Sequence, residues 1–104
     1  MNLEKFGYVL ATKLLVNRKI PVGFMYREKG KNGDSGWRFF AGIETQEYTD
    51  KPENIGIYNI TTITQIDSSI IPLLDAPAGS AFERKDYGAP LTAVEDFDFA
   101  PEGE

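Results

Sequence analysis

The sequence predicts an α+β domain: a small antiparallel sheet around a central long-loop hairpin, with one or two short helices packed on one face. Three observations predict it. Two alternating apolar runs flank a loop rich in Gly, Asn and Asp. One isoleucine triplet recurs at helical rather than strand spacing. Short strand-like runs joined by brief polar loops outnumber the helical ones.

The hairpin comes first. Over Val22–Glu28, Val22, Phe24 and Tyr26 share one face, and Gly23, Met25 and Arg27 share the other. Trp37–Ala41 alternates too, with Trp37, Phe39 and Ala41 opposite Arg38 and Phe40. Lys29–Gly36 between them holds three glycines and reads as a turn cluster longer than a tight turn. The helix rests on Ile60, Ile63 and Ile66, which recur every third residue, and on Asn59, a good N-cap. The Ile/Thr composition of that stretch favours a strand, and spacing decides against it. Tyr8–Thr12, Ile55–Tyr58 and Ala81–Arg84 read as further strands, and Leu91–Phe97 as an edge strand. Lys13–Lys19 fits either a helix or a turn. Glu44–Glu53 is a polar loop with one helical turn at most, and Ser68–Leu74 is a short turn closed by Pro72 and Asp75. The domain spans residues 1–94, and 95–104 is an acidic, frayed tail.

Composition excludes much chemistry. The 104 residues contain no Cys and no His. Disulfide scaffolds, Cys nucleophiles, His general bases and Cys/His zinc sites are therefore ruled out. No Asp-x-Asp-x-Asp-Gly loop is present for calcium. Ser35, Ser80 and the Ser68-Ser69 pair have no His to activate them, and Gly30, Gly33 and Gly36 do not form a phosphate loop. No apolar run approaches a membrane span or a signal peptide, so the expected location is the cytoplasm. No cofactor is expected.

The net charge of −5 conceals an asymmetry. Residues 1–43 carry eight basic and three acidic side chains, a net of +5, and residues 44–104 carry a net of −10. Two faces with different partners would look like this, and so would two solvated surfaces.

Chemistry-bearing side chains gather at the hairpin. Asp34, Trp37 and Arg38 are candidate partner-binding residues, since Trp and Arg dominate interface hot spots. Against that, a lone Trp usually anchors a core, and an Asp beside glycines bonds its own turn. Glu44 and the Glu83-Arg84 pair complete the candidate surface. Arg38 and Arg84 would alternatively tie carboxylates within the sheet. Glu28, Glu44 and Glu83 would have to converge for acid/base catalysis. The aromatics Phe24, Tyr26, Trp37, Phe39 and Phe40 interleave with Arg27, Lys29, Lys31 and Arg38 in a mix suited to stacking single-stranded bases. The acidic chain and the need for those rings in the core weigh against nucleic acid.

Five ordered blocks carry a resemblance. They are Gly23-Phe-Met-Tyr-Arg-Glu28, Asp34-Ser-Gly-Trp-Arg-Phe-Phe-Ala-Gly42, Asn54-Ile-Gly-Ile-Tyr58, Ile70-Ile-Pro-Leu-Leu-Asp75 and Gly79-Ser-Ala-Phe-Glu-Arg84. Over residues 8–86 the chain resembles a bacterial domain family, formerly of unknown function, grouped with the immunity proteins of polymorphic toxin systems. An acidic pair often follows the glycine matching Gly42 in that family, and here Ile43 fills the first of those places, ahead of Glu44. The segment after Tyr87 lies outside the resemblance. The resemblance implies a cytoplasmic, non-enzymatic domain that binds and blocks a cognate toxin domain, with no established catalytic residues. A stand-alone housekeeping or regulatory binding domain is the alternative.

Overall fold

A computed structural model describes residues 6–95. The strands are β1 (Tyr8–Thr12), β2 (Phe24–Arg27), β3 (Asp34–Phe40), β4 (Ile55–Asn59), β5 (Ala81–Glu83) and β6 (Thr92–Ala93). The helices are α1 (Lys13–Arg18), α2 (Gln46–Thr49) and α3 (Ile60–Ile66), with 3-10 turns over Pro52–Asn54 and Ser68–Leu73. The six strands form one open sheet in the order β4-β1-β3-β2-β5-β6. The α+β class is the one the sequence predicts.

The expected all-antiparallel pairing holds at four of the five strand contacts. β1 and β3 run parallel. Alternation along a strand records which side chains face the core but carries no information on which strand lies alongside. Here β3 inserts between β1 and β2, and that choice makes the sheet mixed.

The hairpin is present, with Phe24 opposite Phe40 and Arg27 opposite Trp37. Its second arm begins at Asp34 rather than Trp37, so the loop is shorter than the glycines suggest. Gly36 has a φ of 90° within the strand. The register between β1 and β3 shifts at this point, a bulge that lets Asp34–Gly36 stay paired instead of turning away. A Cβ on Gly36 would collide with the carbonyl of Glu28.

The core lies on one face, beneath α1, α3 and the second 3-10 turn. Val9 and Ala11 of β1, Met25 of β2, and Trp37 and Phe39 of β3 meet Leu15, Ile60, Ile63, Ile70 and Leu74 there. The hairpin aromatics do not all join them. Trp37 and Phe39 are buried in the core, whereas Phe24, Tyr26 and Phe40 cluster on the opposite face, with ring centroids 5.8–5.9 Å apart. The reason is parity: Met25 pairs with Phe39, so Met25 and not Phe24 points inward.

Local caps explain the helices. Thr12 accepts from the Leu15 N–H and starts α1, and Lys19 ends it in the left-handed conformation, with its N–H returned to the last turn. That resolves Lys13–Lys19 as helix. Asn59 caps α3 through the Thr61 N–H, and Ile60 and Ile63 are buried as the spacing predicts. The last expected strand is only Thr92–Ala93, and the tail expected over 95–104 lies, beyond Glu95, outside the described residues.

Replacing Gly36 by Ala should lower unfolding free energy by about 1–3 kcal/mol, from positive-φ strain and collision with the Glu28 carbonyl. Urea denaturation of the two proteins checks this, and an unchanged midpoint would contradict the bulge assignment.

Candidate functional site

On the face turned away from α1 and α3, β1, β2 and β3 bring their side chains together around Arg38. Asp34, Gly36 and Arg38 have the same parity on β3, so Asp34 and Arg38 project to the same side. The guanidinium forms a bidentate pair with the Asp34 carboxylate, both contacts at 2.9 Å. Its Nε donates to Glu28 at 2.7 Å from the end of the neighbouring strand. Asp34 also accepts the Gly36 N–H at 2.9 Å, so it bonds its own turn and holds the arginine together.

These contacts set the local charge states. Burial by itself would lower the Arg38 value, but the hydrogen bonds and charges of Asp34 and Glu28 outweigh it and hold the guanidinium above its ordinary range. Hydrogen bonds from Arg38 keep the Asp34 carboxyl below the usual carboxylate range, against a smaller opposing effect of burial. Burial pushes the neighbouring Tyr26 phenol upward, and the Glu28 carboxylate adds to the shift. The cluster is thus one cation between two anions, net −1 at neutral pH.

Beside it lies a groove of about 330 Å³. Leu10, Tyr26, Glu28, Arg38 and Phe40 form its sheet side, and Gln46, Thr49 and Asp50 at α2 form its rim. Glu44 holds that rim in place. One of its oxygens accepts from the Thr12 hydroxyl at 2.6 Å and the Ala41 N–H at 2.8 Å, and the other accepts from the Gly42 N–H. The Tyr48 hydroxyl accepts the Leu14 N–H at 3.0 Å, tying α2 to the start of α1. A capped turn followed by an anchored helix keeps the groove open.

The remaining candidates divide. Trp37 is fully buried, and its indole N–H donates to the Leu74 carbonyl at 3.1 Å. It therefore offers no surface to a partner, and the core-anchor reading of a lone Trp prevails. Glu44 has both oxygens committed to the turn. Arg84 pairs with Asp67 at 2.8 Å, with both side chains over 90% buried, and joins the end of β5 to the end of α3. Asp67 also receives the Val22 and Ser69 N–H groups and the Ser69 hydroxyl. Glu83 is exposed beside Phe24 and lines a separate hollow with Ile43 and Tyr87. Glu28 lines the groove, Glu83 the hollow, and Glu44 neither. Of the six candidates, Asp34 and Arg38 are joined by direct contact, with Glu28 and Tyr26 beside them, while Glu83 and Arg84 both line the separate hollow.

The family model of the Immunity protein Imm33 domain matches residues 9–94. The chain belongs to the Imm33 family. The match begins one residue into β1, takes in β2 to β6 whole and ends just past β6. No curated protein and no solved structure matches the chain. No helix among the described residues of the Imm33 domain is long and apolar enough to cross a membrane. Among those residues, no group of three or more potential metal ligands is assembled.

Two predictions follow from these contacts. The folded-state value of Asp34 lies below its unfolded value, so its stabilisation is complete above about pH 5 and is lost as pH falls through the folded value. The stability gap between wild type and Asp34→Asn should then be constant from neutral pH down to about pH 5 and narrow below it, as read by urea unfolding at each pH. Arg84→Ala should cost about 3 kcal/mol, the lower end for a broken buried pair, because three other donors remain on Asp67. Thermal and chemical denaturation check it.

Proposed function

We propose that this Imm33 domain is a non-enzymatic inhibitor that binds a cognate toxin domain in the cytoplasm and covers its active surface. Membership of an immunity-protein family supports the class. The observation that supports a location is the groove beside Arg38. It combines Arg38 with Tyr26, two residue types enriched in interface hot spots, beside the apolar Phe40 and Leu10.

The charge of the groove suggests its partner. Glu28 and Asp50 line it with a single cation, Arg38, which is already held by two carboxylates. Glu47 stands exposed on the adjoining α2. A basic surface, such as the substrate groove of a nuclease toxin, complements that pattern, and opposite charge accelerates encounter. Inhibition by occlusion needs a rigid complementary surface and no catalytic group. Asp34, Arg38 and Glu28 serve as the positioned cluster, with Glu47 and Asp50 as the steering charges.

The test begins with the genes that neighbour this one, among which a toxin gene is the candidate partner. Co-expression of the Imm33 domain should restore growth to cells making that toxin. Glu47→Lys with Asp50→Lys should slow association about tenfold at low salt and much less at high salt, since both side chains are exposed. Failure of rescue would favour a stand-alone regulatory binding domain. An unchanged association rate would remove the groove rim from the interface.

A further inference from the structure

The two edges of the sheet are built differently. One edge is β6, two residues long, preceded by Pro90 and followed by Glu95. Shortness, proline and charge are the devices that stop an edge from recruiting another strand. The opposite edge, β4, has none of them within its five residues. It pairs with β1 in unbroken register at every position. At its centre Ile57 is 69% exposed, more than any other large apolar side chain among the described residues.

The main-chain groups of β4 sort themselves by alternation. The Tyr8 N–H donates to the Gly33 carbonyl, on the β3 side of β1. Val9 and Ala11 therefore bond towards β4, and Leu10 and Thr12 bond towards β3. Val9 and Ala11 face Tyr58 and Gly56, whereas Tyr8, Leu10 and Thr12 face Asn59, Ile57 and Ile55. Ile55, Ile57 and Asn59 thus turn their N–H and C=O groups outward.

Among the described residues, two of those six groups are already used. The Ile55 N–H donates to the Pro52 carbonyl. The Asn59 carbonyl, at the N-cap of α3, accepts the first helical bond. The Ile57 N–H and C=O, the Ile55 C=O and the Asn59 N–H remain. In an antiparallel pair of identical strands centred on Ile57, each Ile55 faces an Asn59. The remaining groups then satisfy one another in four hydrogen bonds, and the two used groups are the ones that would otherwise have bonded each other. The edge is complementary to itself.

We propose that a second copy of this chain occupies the β4 edge, antiparallel about a twofold axis through Ile57, joining two six-stranded sheets into one. The two Ile57 side chains meet at the axis and cover each other. Charge agrees with this direction of pairing. Glu53 precedes the strand by two residues, so antiparallel pairing sends it towards the uncharged Thr61 end of the other copy. A parallel pair would set like charges side by side. The interface is isologous and closes at two copies, and it borders the Arg38 groove at Ile55, which lines that groove from β4.

Sedimentation velocity over about 1 μM to 1 mM, the affinity range of a small interface, reads the assembly. Wild type should shift from one copy to two as concentration rises. Ile57→Lys and Ile57→Glu should each remain single at every concentration, with melting temperatures matching wild type at concentrations where wild type is single, because the side chain is exposed. An equimolar mixture of the two variants should recover the pair through opposite charges at the axis. Wild type that stays single overturns the proposal. A pair that survives Ile57→Lys overturns it by placing the contact elsewhere, and a mixture that fails to recover overturns the register through Ile57.

Discussion

The carbonyl of Leu74 is the point on which the two halves of the molecule are fastened. The N–H of the same residue closes the second 3-10 turn on the Ile71 carbonyl, and the Leu74 carbonyl accepts from both the Trp37 indole at 3.1 Å and the Arg27 guanidinium at 3.3 Å. Arg27 also donates to the carbonyls of Ala76 and Ser35. Its guanidinium lies 5.5 Å from the Trp37 ring centroid and 5.8 Å from that of Phe6. A cation this enclosed is tolerated because carbonyl oxygens and ring faces replace its water. The main chain of Arg27 then takes up Gly79 and Ser80, which delivers β5 to the flank of β2. The central hairpin thereby fixes where the C-terminal third of the chain runs.

The outer face depends on the same hairpin. With Trp37 and Phe39 committed inward, Arg38 must face outward, and the bulge at Gly36 keeps Asp34 within its reach. Two arginines one strand apart consequently have opposite tasks. Arg27 holds the core side together through carbonyls. Arg38, facing carboxylates, forms a charged cluster at the edge of a groove. The conformational freedom of one glycine separates a packed interior from a presented surface.

The family blocks coincide with this framework. Arg27 and Glu28 end the first block, Asp34, Trp37 and Arg38 lie in the second, Leu74 lies in the fourth, and Arg84 closes the fifth. Residues that look like an exposed recognition motif when read in a line are partly structural. Trp37 anchors the core, Glu44 caps a turn, and Arg84 clamps β5 to α3. Asp34 and Arg38 are the members that also reach the surface. Residue type alone could not make that division, because an arginine that ties the interior and one that lines a groove have the same side chain.

The sequence by itself determined whatever local physics controls. Asn59 and the Ile60/Ile63 spacing were enough to place a helix despite β-branched composition, because capping and periodicity act within one or two turns. Alternation was enough to identify the hairpin and put Trp37 and Phe39 on one face. The absence of Cys and His removed whole classes of chemistry before any geometry was known. Tertiary structure alone decided that β3 lies between β1 and β2, that Met25 rather than Phe24 points inward, and that Glu28 joins Asp34 on Arg38. Those outcomes depend on strand order and register, set by the summed packing of distant segments, and no short stretch of chain encodes them.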